Sequence, residues 1–251
     1  MKQFLFIIIF VLCVIGNVFA LTGLELAQQV YDRDDGDDAQ FQTKMVLIDK
    51  SGNRRERLLD NLVKDYEGRL KSYVEFLEPT DIKGTKFLSW ENQDGDDTQY
   101  LYLPELGRSR RIVSSQKKLR FVNTDFTYED MQRRHPQEDE HKILNEDVYF
   151  GQSVYVLESI PKDGESQYGR LVSLIEKESL IPVSIDYYDK KDRRIKELRV
   201  FELQQIEGIW TIMKVEMYDL KAEHRTRMSI KSVLYNQGLD DKFFELRNLE
   251  K

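Results

Sequence analysis

The chain has 251 residues, 33% of them charged, and a formal net charge of −7. So acidic a chain disfavours broad nucleic-acid binding, and with only five prolines and thirteen glycines it is neither collagen-like nor of low complexity. Its single cysteine, Cys13, lies in the N-terminal apolar run, so the rest of the chain has no thiol for disulfides, nucleophilic catalysis or zinc.

Residues 1–20 read as a secretory signal peptide: Lys2, an apolar run from Phe4 to Ile15, a break at Gly16-Asn17, and cleavage after Ala20. The run is too short to span a bilayer, which disfavours an uncleaved anchor. Leu12 before Cys13 does not suit a lipoprotein signal. Removing 20 of 251 residues leaves 231, with 37 basic and 45 acidic side chains and a net charge of −8. No further long apolar run follows, and residues 21–251 read as one domain.

LTGLELAQQVYDRDD predicts a helix. Thr22 and Glu25 have capping-box spacing, and Leu24, Ala27, Val30 and Tyr31 share a face. The acidic run Asp34, Asp35, Asp37 and Asp38 lacks EF-hand spacing and reads as a solvated loop. About ten or eleven strands follow, in two groups. The first runs from TKMVLID to TQYLYLPEL and the second from QSVYVLESIPK to HRTRMSIKSVLYN. Each is rich in β-branched and aromatic residues and bounded by turn residues at hairpin spacing. Between the groups, residues 123–142 read as a helix-bearing excursion, with Thr127 and Asp130 as a cap and Pro136 as a stop. Near the C-terminus, LDDKFFELRNL offers a turn or short helix that tucks in Phe243, Phe244 and Leu246.

The fold class is therefore mainly β (α+β), a large antiparallel sheet that is curled or closed. The strands alternate apolar and polar residues: Val74 and Phe76; Leu88 and Trp90; Leu101 and Leu103; Met213, Val215 and Met217; Met228 and Ile230. One apolar face is thus large, while few helices are available to cover it. Three outcomes remain open: a closed sheet filled by its own side chains, a sheet curled over a few helices, or a cavity filled from outside. The candidate cavity residues are Met45, Leu47, Phe76, Trp90, Leu101, Leu103, Phe126, Met213, Val215, Met217, Met228 and Ile230.

Enzyme chemistry finds little support. GQSVY lacks the second glycine of a nucleophile elbow, and no dinucleotide fingerprint, P-loop or zincin motif occurs. His135 and His141 in HPQEDEH match no metal spacing, and His224 sits in a polar turn that reads as solvated. No catalytic residue, cofactor or metal is assigned. A local reversal of charge stands out instead: Arg108, Arg110, Arg111, Lys117, Lys118 and Arg120 occur with no acid among them. A solvated turn, an acidic protein partner and lipid head-group phosphate are all compatible with it.

Three segments, FLEPTDIKGTKFL, YLYLPELGRSRRI and FVNTDFTYEDM, resemble the signature blocks of the outer-membrane lipoprotein-sorting protein family, LolA-like. The first block aligns Phe76, Pro79, Gly84, Thr85 and Leu88. The second aligns Tyr102, Leu103, Pro104 and the arginines 108, 110 and 111. The third aligns Asp125, Phe126, Tyr128, Glu129 and Asp130, with Asn123 where the family carries glycine. The resemblance implies an unclosed β-barrel with helices against its concave face. It also implies an apolar cavity and a periplasmic carrier of Gram-negative bacteria; nothing in the sequence demands more than a monomer. The carrier's cargo is lipid acyl chains or lipoproteins, moved between membranes with an inner-membrane RND or MMPL-type transporter as partner. Arg108, Arg110 and Arg111 would then meet the partner or the cargo head group. A periplasmic lipid- or protein-sensing domain of the RseB-like kind is the alternative.

Overall fold

The computed structural model describes residues 20–250. The signal-peptide segment therefore lies outside the described residues but for Ala20. Helix α1 (Gly23–Tyr31) is capped as its sequence predicts: the Glu25 N–H donates to Thr22 Oγ1 at 3.2 Å, and the Thr22 N–H donates to Glu25 Oε2 at 2.8 Å. Its buried face is Leu26 and Ala27 with Val30 beside them, whereas Leu24 points to solvent, so the apolar stripe is rotated from the predicted one. Gly23 lets the helix sit directly on the sheet. A Cβ there would lie 2.5 Å from the backbone of His141.

Thirteen antiparallel strands make one sheet. They are β1 (Asp38–Ile48), β2 (Arg54–Asp65), β3 (Leu70–Glu78), β4 (Lys86–Trp90), β5 (Thr98–Leu103), β6 (Arg108–Ile112), β7 (Asp139–Tyr149), β8 (Gln152–Pro161), β9 (Tyr168–Glu176), β10 (Pro182–Asp189), β11 (Arg194–Ile206), β12 (Ile209–Asp219) and β13 (His224–Tyr235). The spatial order is β6-β5-β4-β3-β2-β1-β13-β12-β11-β10-β9-β8-β7. Two meanders thus meet where β1 pairs with β13, and β6 and β7 remain as free edges, so the barrel is not closed. One buried cluster contains Leu101 and Phe76 from the first meander with Met217, Tyr187 and Tyr168 from the second. A flat sheet could not bring these together, so the sheet curls around them.

Residues 113–138 connect the two edge strands across the inner face. They form short 3-10 turns at Ser114–Gln116, Phe121–Asn123 and Pro136–Glu138 and no α-helix, and β7 begins at Asp139. This corrects the helix-bearing excursion expected over 123–142. Thr127 and Asp130 do make reciprocal capping bonds, at 2.7 and 3.3 Å, but these close a turn. Phe121 and its neighbours substitute for the missing helix by packing into the core. Phe76, Phe87 and Phe121 are each at most 2% exposed, and burial of such a ring stabilises by roughly 1.5–3 kcal/mol.

The outer face is covered near β2–β5 by the C-terminal segment. Asp38 is buried, and its two carboxylate oxygens accept from the Gln237 and Leu239 N–H groups, each at 2.8 Å. It is therefore a clamp and not part of a solvated loop. A 3-10 turn (Asp241–Phe244) and helix α2 (Leu246–Leu249) bury Phe244 and Leu249 against Leu62, Tyr73 and Leu88. Leu246 packs beside them, while Phe243 stays exposed.

Candidate ligand-binding site

The strand register arranges the candidate cavity residues in rows across the inner face. Val200 on β11 faces Val215 on β12, Val215 faces Met228 on β13, and Met228 faces Met45 on β1. A second row runs Leu198, Met217, Thr226, Leu47. The two rows grade in burial. Val200, Val215 and Met228 are half-buried, whereas Met45, Leu47 and Met217 are at most 5% exposed. Met213 and Ile230 extend the half-buried part.

At the half-buried end lies a groove of about 410 Å³ lined by Tyr149, Phe150, Val183, Val200, Phe201 and Leu203, with Arg199, Gln152 and Glu202 at its polar margin. Its size is in the range of small-molecule sites, and its wall is mostly apolar. The tip of the β7–β8 hairpin supplies one side of it. At the opposite end of the inner face the chain fills the space itself. Phe121 packs edge-on to Phe87 (5.0 Å between centroids) and to Tyr128 (5.8 Å), and Phe126 joins the same cluster.

A family model described as "-like: Uncharacterized protein" matches residues 68–251. No curated protein matches the chain. Among solved structures, a DUF1329 family protein from Desulfovibrio piger is 31% identical, with a TM-score of 0.86 over 90% of this chain and 97% of its own. An outer membrane lipoprotein-sorting protein domain from Vibrio parahaemolyticus is 30% identical, with a TM-score of 0.87 over 91% of this chain and 98% of its own. The chain belongs to the LolA-like family of outer-membrane lipoprotein-sorting proteins. A LolA superfamily protein from Nitrosomonas europaea, 19% identical with a TM-score of 0.70 over 90% of this chain and 98% of its own, shares the fold.

The three blocks of the LolA-like resemblance have structural roles here. In the first, the Gly84 N–H donates to the Phe76 carbonyl at 2.8 Å, and Gly84 adopts φ 78° beside Pro104 of the second block. Pro104 starts a 3-10 turn (Pro104–Leu106) that Gly107 closes at φ 60°. The third block ties the 113–138 crossing to the sheet. Asp125 is buried; its carboxylate accepts from Thr226 Oγ1 at 2.7 Å and Arg120 Nη1 at 3.2 Å and lies 2.6 Å from His224 Nδ1. His224 is thus a partner of Asp125 and not a solvated turn residue. Asp130 accepts from Tyr168 Oη at 2.5 Å and Lys196 Nζ at 2.7 Å. Burial, followed by the Asp130 charge, holds the Tyr168 hydroxyl well above its ordinary pKa. Glu129 accepts from Ser166 Oγ and from the Gln167 N–H. Asn123 has φ 59°, so it takes the left-handed backbone that the family's glycine would supply, and Val122 before it has φ 43°. Arg57, which no sequence signal marked, donates to the Val122 carbonyl at 2.7 Å.

The structure does not bring all the candidate cavity residues together. Trp90 lies on the outer face, where its Nε1 donates to the Phe244 carbonyl at 2.8 Å. Alternation pairs Trp90 with Leu88 correctly but does not say which face is inner. Phe76, Leu101 and Phe126 sit in the filled core, and Leu103 packs at its margin. Arg108, Arg110 and Arg111 are exposed along edge strand β6, where the Ser109 N–H and Oγ donate to Glu250 Oε1. Arg110 approaches the Tyr128 hydroxyl, whose pKa is raised by burial and partly offset by that arginine. His135 lies beside the Asn92 carbonyl. His141 has Ser159 Oγ 2.9 Å from Nδ1 and the Pro136 carbonyl 2.8 Å from Nε2, so Nε2 donates. Among the described residues no group of three or more His, Cys, Asp or Glu is placed to hold a metal. Phe150 and Phe201, which line the groove, carry no periodic signal in the sequence because one sits in a turn and the other at a strand bulge.

Proposed function

We propose that this protein is a periplasmic carrier that takes an acyl chain, of a free lipid or of a lipoprotein, into the groove beside Val200 and moves it between membranes. The observation that carries this reading is the apolar row Val200–Val215–Met228, half-buried and leading from the open groove into the core. An acyl chain gains about 0.8 kcal/mol for each CH₂ it buries. The gain is similar in a bilayer and in an apolar groove, so a carrier needs only to match the membrane to exchange cargo without covalent chemistry. Met213 and Met228 supply adaptable walls for chains of different shape. Arg108 and Arg111, exposed on the edge strand, with Arg110 beside the Tyr128 hydroxyl, would meet head-group phosphate or an acidic face of an inner-membrane transporter of the RND or MMPL type. Export follows from the signal peptide at residues 1–20, and the carrier works as a monomer.

The test is native mass spectrometry of residues 21–251 purified without detergent, followed by solvent extraction. About one lipid per chain is expected, and Val215→Arg, placed in the half-buried row, is expected to abolish it while the protein stays folded. A stable chain that takes up no offered lipid would reject the carrier reading.

A further inference from the structure

Three two-residue turns of this protein have a left-handed residue followed by glycine: Glu67-Gly68 (φ 58° and 84°), Glu207-Gly208 (53° and 89°) and Phe150-Gly151 (48° and 83°). Such turns match the twist of a hairpin, and their first position favours Asn, Asp or Gly. Glutamate at two of them is polar and solvated. Phenylalanine at the third breaks the pattern twice: its backbone is in a region disfavoured for a bulky residue, and its ring is 88% exposed. The folded chain gains little from that ring. Tyr149 packs edge-on to it at 4.6 Å, and Val148 is also exposed on the same hairpin. Phe201 lies across the groove at 58% exposure.

We propose that the β7–β8 hairpin tip, with Phe150 at its apex, inserts into the interfacial layer of a phospholipid bilayer. Two observations favour a bilayer over a protein partner. First, Phe150 and Tyr149 form the tip and also line the groove, so the point that enters the lipid is the lip of the acyl-binding channel. A chain leaving the bilayer there enters the row at Val200 without crossing water. Second, the tip has no concentration of one charge. Glu146 is paired with Lys177, and the Asp147 carboxylate accepts from the adjacent Val148 N–H at 2.7 Å. An aromatic tip with no basic collar suits the neutral interface, where the Phe150 ring would be buried among the acyl chains while the Tyr149 hydroxyl stays at the wet head-group level. The arginine strand β6, at the other edge of the sheet, is not part of this contact.

The inference extends the carrier reading to the way cargo enters, and it is tested separately from cargo binding. The full mature chain is floated with vesicles of phosphatidylcholine alone and of phosphatidylcholine with phosphatidylglycerol. Wild type is expected to float with both, with little dependence on salt. Phe150→Asn, which suits the left-handed turn, is expected to melt at the same or a higher temperature while its vesicle partitioning falls by about tenfold or more. Phe150→Trp is expected to retain binding and to add blue-shifted emission on contact with vesicles. Wild type that fails to float with neutral vesicles overturns the proposal. So does Phe150→Asn that floats like wild type, or flotation that requires phosphatidylglycerol and vanishes in salt. A dimer that disappears in Phe150→Asn, with no flotation, would make the tip an interface between copies and also overturn it. In parallel, a soluble fluorescent fatty acid reports on the groove in the absence of any bilayer. Its binding without flotation sinks this inference alone, and flotation without its binding sinks the carrier reading alone.

Discussion

Where the inner face curves around Phe76, Phe87, Tyr187 and Met217, Phe121, Phe126 and Tyr128 fill it; at the end beside Val200 the 113–138 crossing contributes no residue to the groove. Both ends present the same kinds of side chain. What differs is whether the 113–138 crossing reaches them. It packs its rings against Phe76 and Phe87 and is anchored by Asp125, Glu129 and Asp130, but Val200 and Val215 remain half-buried beside the groove. The contrast shows that an apolar strand pattern states how much surface must be covered, while the connecting segment decides whether the protein or a ligand covers it.

The contrast can be broken from the filled end. Phe121→Ala should cost about 3–5 kcal/mol, because it opens a cavity in a packed core. The same variant should admit longer or more numerous acyl chains, which chemical denaturation and native mass spectrometry can read together. Unchanged lipid capacity with lowered stability would mean that the two ends do not communicate. Asp125→Ala attacks the anchor instead of the filling. It leaves His224, Thr226 and Arg120 without their shared acceptor, at a cost of about 2–4 kcal/mol. For a chain of this size the melting temperature should drop by roughly 5–15 °C.

A smaller effect is expected from Asp97, beside the same crossing. Burial, reinforced by the Glu91 charge, pushes its carboxyl up to about 7 from an ordinary value of 3.8. The folded state therefore prefers the neutral acid. The stability that Asp97 contributes is complete below its unfolded pKa and is lost as pH rises through 4 to about 7. Asp97→Asn should flatten this loss, raising the melting temperature at pH 8 by ~3 °C or more with less change at pH 4. Equal shifts at both pH values would rule out titration as the cause. The smallest effect on stability belongs to Arg108→Ser with Arg111→Ser, exposed changes worth about 0.5 kcal/mol or less. Their readout is delivery of cargo to acceptor membranes. Unchanged loading and delivery would leave the arginine strand a solvated edge.

Eleven of the thirteen strands were legible as alternating or β-branched runs, and the two that were not are the two edges, β6 and β7. RSRRI carries one buried residue and NEDVY none, because edge strands carry charge that discourages further pairing. Alternation therefore finds strands with a face to bury and passes over those without one. The same limit applies to the groove. Val215 and Met228 announced themselves by period, whereas Phe150 could be found only by noticing an aromatic residue before glycine at a turn. The Thr127–Asp130 cap was legible, but the helix it suggested did not form, because Asp130 and Tyr128 find partners on the sheet and Glu129 finds Ser166 and Gln167 in the β8–β9 loop. Trp90 shows that a period of two leaves the choice of face open until the C-terminal segment claims one of them.

The meeting of β1 and β13 at the centre of the sheet has a consequence for how the chain acquires its shape. Every other strand pair joins neighbours in sequence, so each meander can form from local hairpins, but Met45 waits for Met228 from the far end of the chain. Contacts so distant in sequence are slow to close. As synthesis proceeds from the N-terminus, the open edge of β1, with Phe41, Met45 and Leu47, is complete long before its partner exists. Until β13 arrives, that edge is the sticky point of the half-made protein, a target for chaperones and the place where premature association would begin.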